Sequence, residues 1–200
     1  MTRYWKVLAE DGSTYHHRSN FRWSLPVRNG DTWTPGQWMT PGGRKAKLTV
    51  AALCSSEVLH VCEDAQLLDW IGPVIYEVEV DESAGIVRGD NKTGVRRARL
   101  LRRMEAWTAR TARLFAADCA ESVLHLISDE VSRLTCEVAI YVVRCYADGE
   151  ATHEERAAAW DAASDAASAA AWDAASAAAS DAASAAYSKS LITMLEKETA

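Results

Sequence analysis

The sequence predicts an α+β protein in which a small sheet-containing N-terminal domain precedes a three-helix, antiparallel module. In Val74–Val80, Tyr76 and Val78 alternate with Glu77 and Glu79, which is the period of a strand with one exposed face. From about Glu105 the apolar residues recur at helical spacing instead, and an alanine-rich tract follows. We therefore divide the chain into residues 1–103 and 104–200.

The N-terminal domain is predicted from local turn and strand patterns. Asp11-Gly12 separates two β-prone runs, 4–8 and 13–17, as in a hairpin. Residues 20–44 hold three of the four prolines and three tryptophans, which is typical of irregular structure held by aromatic side chains. We further predict a short strand at 48–53, a helical turn at 65–70 and a returning strand at 95–101.

The C-terminal module is predicted as helices at about 105–127, 130–147 and 153–197. The run 138–143 is apolar on nearly all sides, which predicts a buried turn. Asp148-Gly149 predicts the end of the second helix, because glycine accepts a left-handed cap. Thr152 and Glu155 have the spacing of a capping box, which predicts the start of the third helix.

The third predicted helix contains a four-residue repeat of Ser or Trp, then Asp or Ala, then mostly Ala. Alanine has the highest helix propensity. Four residues advance about 400° around a helix, so the repeat spirals and faces neighbours on several sides. The helix is expected to pack on the preceding two or to form an oligomer or partner surface. The predicted contact residues are Trp160, Asp161, Asp165, Trp172, Asp173, Asp181 and Tyr187.

The charge of the chain is divided unequally. Residues 1–104 carry 15 Lys/Arg against 12 Asp/Glu, and residues 105–200 carry 7 against 16, which gives +3 and −9 for a total of −6. Phosphate binding needs a concentrated basic surface, so this balance argues against nucleic acid as the main partner. The acidic half favours a basic protein partner.

Composition also bounds the location of the protein. Five cysteines make an odd count without the spacing of a disulfide scaffold. We find no signal-peptide pattern and no apolar run of about 18 residues. We therefore predict reduced thiols and a cytoplasmic protein without a membrane segment. We also predict that the protein uses no cofactor.

Three constellations suggest chemistry, each with a plainer alternative. Cys54, His60 and Cys62, with His16 or His17 as a fourth ligand, suggest a metal site or a catalytic Cys-His pair, but their spacing does not match the paired ligands of zinc sites. The alternative is a half-buried core pair on a strand.

Glu77 and Glu79 form a Glu-x-Glu pair that loosely resembles the nicotinamide site of ADP-ribosyltransferases, and charges on the exposed face of a strand are the alternative. Lys92, Arg96 and Arg97 can hold a small anion such as a phosphate, or form surface salt bridges.

Two stretches of the chain resemble known families. The segment LCSSEVLHVCE at 53–63 is similar to the C-x-x-G-L-H-A-C segment of a small domain of unknown function found in phage and bacterial proteins, with Val58 where that family has glycine. That family continues with a strand and a G-D-D-K…R segment, matched here by 76–80 and by Gly89 to Arg96. Residues 115–121, 146–150 and the tract after Arg156 resemble alanine-rich immunity proteins of polymorphic toxin systems.

These resemblances imply an accessory protein of phage–host or toxin conflict. We predict a non-enzymatic protein of immunity or anti-defence type that binds and neutralises a partner through its helical module, and that forms a homo-oligomer. One alternative is an oligomer that sequesters a nucleotide or another small anion at Lys92, Arg96 or Arg97. A second alternative is an ADP-ribosyltransferase-like enzyme that uses Glu77 and Glu79.

Overall fold

The structure of the chain is a computed structural model, and it describes residues 2–16, 21–42, 48–171 and 177–196. The chain divides into two compact units, which are Met1–Trp107 with Ala185–Ala200, and Thr108–Ser184. We call them the sheet unit and the helical unit. An antiparallel sheet followed by packed helices confirms the predicted α+β class.

The sheet unit contains eight strands within its described residues. They are β1 (Tyr4–Leu8), β2 (Val27–Asn29), β3 (Thr32–Thr34), β4 (Leu59–Glu63), β5 (Val74–Val80), β6 (Ile86–Arg88), β7 (Thr93–Val95) and β8 (Ala98–Arg103). Six of them form one antiparallel sheet in the order β6-β7-β4-β1-β5-β8, and β2 pairs with β3 in a separate hairpin. β5 covers the residues that alternation predicts.

The six-stranded sheet is strongly curled. Only Arg96 and Arg97 lie between β7 and β8, although these strands hold the second and last places in the sheet. On a flat sheet, four strand spacings would separate them by about 19 Å. Three residue steps span at most about 11 Å. The sheet therefore curls until β7 and β8 approach, and the predicted returning strand at 95–101 is broken at Arg96-Arg97.

The curled sheet encloses the core of this unit. Trp23 comes from the irregular segment between β1 and β2, is 4% exposed, and packs in one cluster with Tyr4, Leu59, Val78 and Leu100. The expectation that aromatic side chains hold this segment is therefore confirmed for Trp23.

Of three further predictions in the sheet unit, one is wrong, one is wrong in part and one is confirmed. The strand predicted at 48–53 is instead a 3-10 helix, Val50–Cys54, because its Val-Ala-Ala-Leu run lacks the alternation of a strand. In the predicted hairpin arm 13–17, the described residues form only isolated bridges, from Thr14 to Leu8 and from Ser13 to Arg22. The helical turn predicted at 65–70 is the 3-10 helix Asp64–Trp70.

Four α-helices follow within the described residues. They are α1 (Ala109–Ser122), α2 (Glu130–Asp148), α3 (His153–Ala171) and α4 (Ala177–Glu196). α1 begins later than predicted because Thr108 caps it by accepting a hydrogen bond from the Thr111 amide. α2 ends at Gly149 with φ +80°, and Thr152 and Glu155 form the capping box of α3, so both predicted boundaries are confirmed.

The end of α4 belongs to the sheet unit, whereas the division drawn from the sequence places it with the helices. Leu191 and Leu195 are fully buried, and Arg3 forms an ion pair with Glu196. Residues 172–176 lie outside the described residues, so one continuous helix over 153–197 stays a prediction. None of the described helices has the length and apolar character needed to cross a membrane.

Candidate functional site

Helix α2 exposes a row of large apolar side chains, which we call the apolar stripe. It consists of Val131, Leu134, Val138 and Tyr141, whose exposed fractions are 73%, 49%, 60% and 67%. Spacings of three, four and three residues place all four on one face of the helix. The prediction of a buried turn at 138–143 is therefore wrong for Val138 and Tyr141.

The opposite face of α2 is the one that packs. Cys136, Ala139 and Ile140 are buried, and α2 contacts both α1 and α3. These buried positions lie roughly half a helical turn from the apolar stripe. Since two neighbouring helices cover only part of the circumference of α2, the stripe remains exposed.

Ion pairs hold α2 to its neighbour. Arg144 donates hydrogen bonds to Asp118 and Glu121 of α1, at 2.7 and 2.8 Å. These bonds raise the pKa of Arg144 and lower that of Glu121. Arg110 of α1 pairs with Asp148 at the end of α2, at 2.6 Å. These ion pairs hold the C-terminal end of α2, the end that follows the apolar stripe, to α1.

The helical unit is acidic. Residues 108–184 contain 5 Arg and no Lys against 13 Asp/Glu, a net charge of −8. Arg133 pairs with Glu137 beside the apolar stripe, while Arg113 and Arg156 lie over the ring of Tyr146. Every arginine of the unit therefore has a carboxylate or an aromatic ring beside it. The carboxylates outnumber the arginines, so the unit keeps a negative net charge.

The predicted contact residues of the alanine-rich region are only partly placed. Trp160 is 64% exposed on α3, and Asp161 and Asp165 are exposed beside it, so Trp160 does not anchor α3 to α2. Tyr187 is half-buried in the part of α4 that belongs to the sheet unit. Trp172, Asp173 and the side chain of Asp181 lie outside what the structure describes.

Glu77 and Glu79 are each held by an arginine of the neighbouring strand. In the pairing of β5 with β8, Glu77 lies opposite Arg102 and Glu79 opposite Arg99. The carboxylate–guanidinium distance is 2.6 Å in both pairs. This is the geometry of cross-strand ion pairs, which stabilise a sheet. It offers no feature that distinguishes a nicotinamide site.

Within the described residues, different contacts place the three cations predicted to hold an anion. Arg97 pairs with Asp81 at 2.9 Å and stacks over Trp38. The backbone amide of Arg96 donates to Gly85 O. Lys92 lies over the ring of Trp70, with Nζ 5.8 Å from its centroid.

The candidate metal ligands form no cluster within the described residues. No group of three or more His, Cys, Asp and Glu side chains there is placed to hold a metal ion. His60 Nε2 donates to the Leu53 carbonyl at 2.7 Å, and burial raises the pKa of the Cys62 thiol to about 12. His16 Nε2 donates to the Trp70 carbonyl at 2.9 Å, while His17 and the side chain of Cys54 lie outside the described residues.

Lys6 is a candidate site residue that the sequence patterns above did not predict. On β1 it lies between the buried residues Tyr4 and Leu8 and shares their strand face. Side chains point alternately to the two faces of a strand, so the predicted strand 4–8 already places Lys6 on the face of Tyr4 and Leu8.

Comparisons of the chain with protein-family models, with curated proteins and with solved structures find no match.

Proposed function

We propose that this chain is a non-enzymatic binding protein of phage–host or toxin conflict, and that it neutralises a basic partner protein through the apolar stripe of α2. The exposure of the stripe is the observation that carries the proposal. Helices of a folded protein normally bury such a face, and contiguous exposed apolar patches mark interaction sites. The conflict setting rests on the resemblance of the C-terminal half to immunity proteins.

Charge favours a basic partner over a second copy of the chain. Two helical units that met through their stripes would bring together two units with a net charge of −8 each. Like charges across an interface lower affinity and slow the encounter, whereas a basic protein is attracted from a distance. Asp161 and Asp165 on α3 are two of the exposed carboxylates counted in this charge.

The stripe supplies affinity and the carboxylates supply steering. Each stripe residue has about half or more of its side chain exposed, so covering it contributes on the order of 1 kcal/mol. A charge introduced at Val138 would be desolvated in the complex without a partner. We expect Val138→Asp to weaken partner binding about 100-fold.

Site-specific photo-crosslinking tests the proposal. A benzophenone amino acid is placed at Val138, in a cell that also expresses the proteins encoded beside this chain, with the same replacement at exposed Asp31 as the control. We expect a covalent product of a basic protein from Val138 only, and its identity is read by mass spectrometry. A product with a second copy of this chain, or no product specific to Val138, would refute the proposal.

Charge reversal tests the electrostatic part separately. Asp161, Asp165, Asp173 and Asp181 are changed to Lys together, and binding of the crosslinked partner is measured with purified proteins. We expect slower association and a weaker salt dependence, because long-range attraction falls with screening. Unchanged association would remove acidic steering from the proposal and leave only apolar contact.

A further inference from the structure

The sheet unit contains a cavity of about 520 Å³ where two neighbouring strands separate. β1 and β4 pair at Tyr4–Glu63 and Trp5–Cys62 only, whereas β1 continues its pairing with β5 as far as Leu8. Residues of both separating strands line the cavity. Its volume is within the range of small-molecule sites, about 300–1,000 Å³.

Lys6 lies at the point of separation. Its Nζ donates a hydrogen bond to the His60 carbonyl at 2.8 Å, across the gap between β1 and β4. The ring of Trp23 lies 5.5 Å from the same nitrogen. Lys6 is partly accessible because it faces the cavity. An ammonium with three N–H donors therefore meets one carbonyl and an aromatic face here.

The walls of the cavity are mainly apolar and aromatic. Phe21 and Trp23 form one edge-to-face pair, with ring centroids 6.1 Å apart. Tyr15, His16 and Trp70 form a second edge-to-face cluster on the wall. Aromatic walls of this kind favour a ligand with a planar aromatic ring, which can stack on the wall rings or meet them edge to face.

The charges at the cavity are positive. Lys6 and Lys92 both line it, and the described lining residues include no carboxylate. Burial lowers the pKa of Lys6 to about 8. Among the described residues, Cys62 is the neighbour whose charge would raise that pKa, but its thiol keeps its proton because burial raises the pKa of the thiol to about 12. At neutral pH the lysine remains mostly protonated, so the cavity holds a desolvated cation with no carboxylate among its described lining residues. A bound anion would offset the cost of that desolvation.

We propose that this cavity binds a small planar aromatic anion, with the carboxylate or phosphate of the ligand on the Lys6 ammonium and its ring between Trp23 and Trp70. This inference is independent of the function proposed for the helical unit, since every residue it uses belongs to the sheet unit. It also moves the anion site predicted from the sequence. Lys92 belongs to the cavity, whereas Arg97 is held by Asp81.

Matched probes test the charge requirement. Binding of 1-naphthoate, 1-naphthyl phosphate and the neutral 1-naphthamide to the full chain is measured by isothermal titration calorimetry at pH 7. We expect both anions to bind at least tenfold more tightly than the amide. Equal binding of anion and amide, or no binding of any of the three at millimolar concentration, would overturn the proposal.

Variants locate the site. Lys6→Met is expected to abolish the preference for the anions and to leave binding of the amide within about threefold, because the aromatic walls remain. Lys189→Met removes the same charge from an exposed position of α4 and is expected to bind all three probes as the parent does. A preference that survives Lys6→Met, with the variant folded by circular dichroism, would also overturn the proposal.

Discussion

Replacing Lys6 by methionine is expected to stabilise the protein at neutral pH. Methionine fills a similar volume without a charge, so the substitution removes the desolvation of the ammonium. The pKa of Lys6 falls from 10.5 to about 8 on folding. A shift of about 2.5 units corresponds to about 3 kcal/mol, and access to cavity water makes this a ceiling. The lost hydrogen bond to His60 offsets about 1 kcal/mol, which leaves a gain of about 2 kcal/mol.

The gain must depend on pH, with a sign that follows from the direction of the shift. Because the folded pKa lies below the unfolded one, the unfolded state binds more protons between pH 8 and 10.5, and the parent protein gains stability through this window. The full cost of the ammonium is therefore present below pH 8 and absent above 10.5. We expect the advantage of Lys6→Met to shrink above pH 8 and to reverse near about pH 10.

Urea unfolding followed by tryptophan fluorescence measures this difference. Six of the eight tryptophans lie in residues 1–107, so the signal reports mainly the sheet unit. The parent, Lys6→Met and the control Lys189→Met are compared at pH 7, 8.5 and 10. Among the described groups near Lys6, burial raises the pKa of Cys62 and of Tyr76, and we expect it to do so in the parent and in the variant alike. A Lys6→Met variant that is no more stable at pH 7, or whose advantage does not change with pH, would refute the desolvation of Lys6.

Two further predictions concern packing. Leu191→Ala is expected to destabilise the sheet unit by about 2–5 kcal/mol, because Leu191 is fully buried near the end of α4. An unchanged urea midpoint in tryptophan fluorescence would show that α4 does not stabilise this unit. Val138→Ser is expected to change the free energy of unfolding by less than about 0.5 kcal/mol, whereas Ile140→Ser on the buried face should cost at least about 2 kcal/mol. Circular dichroism at 222 nm during urea unfolding measures both, and equal losses would contradict the assignment of the exposed face.

The elements that the sequence predicts well are those set by residues close together in the chain. The capping box of α3 joins Thr152 to Glu155, and the end of α2 depends on the single residue Gly149. β5 shows its strand period within seven residues. In each case the interacting groups are at most a few positions apart, so local chemistry determines the outcome.

The exposed face of α2 is not determined locally. Val138, Ala139, Ile140 and Tyr141 are all apolar, so the hydrophobic pattern does not say which side of the helix meets α1 and α3. The choice depends on where the neighbouring helices pack, and it leaves Val138 and Tyr141 exposed while Ala139 and Ile140 are buried. A helix segment that is apolar on all sides is therefore predicted to be buried on all sides.

The cavity is even less local. Lys6, Trp23, His60 and Lys92 come from positions up to 86 residues apart, and they meet because the sheet curls and β1 separates from β4. The one local signal is the alternation of β1, which places Lys6 with Tyr4 and Leu8. His60 is predicted as a metal ligand and Lys92 as an anion ligand, but neither prediction indicates that Lys6 of β1 lies in the same cavity.

Lys6 and the apolar stripe depart from what folding alone favours, and in opposite ways. A lysine lies on the core side of a sheet, and four large apolar residues lie on the surface of a helix. Natural sequences break the rule of local consistency mainly at functional sites, where stability is exchanged for activity. The variants Lys6→Met and Val138→Ser test whether these residues are retained for function or for the stability of the fold. If Lys6→Met gains stability while losing anion binding, and Val138→Ser keeps its stability while weakening partner binding, then neither residue is retained for the sake of the fold.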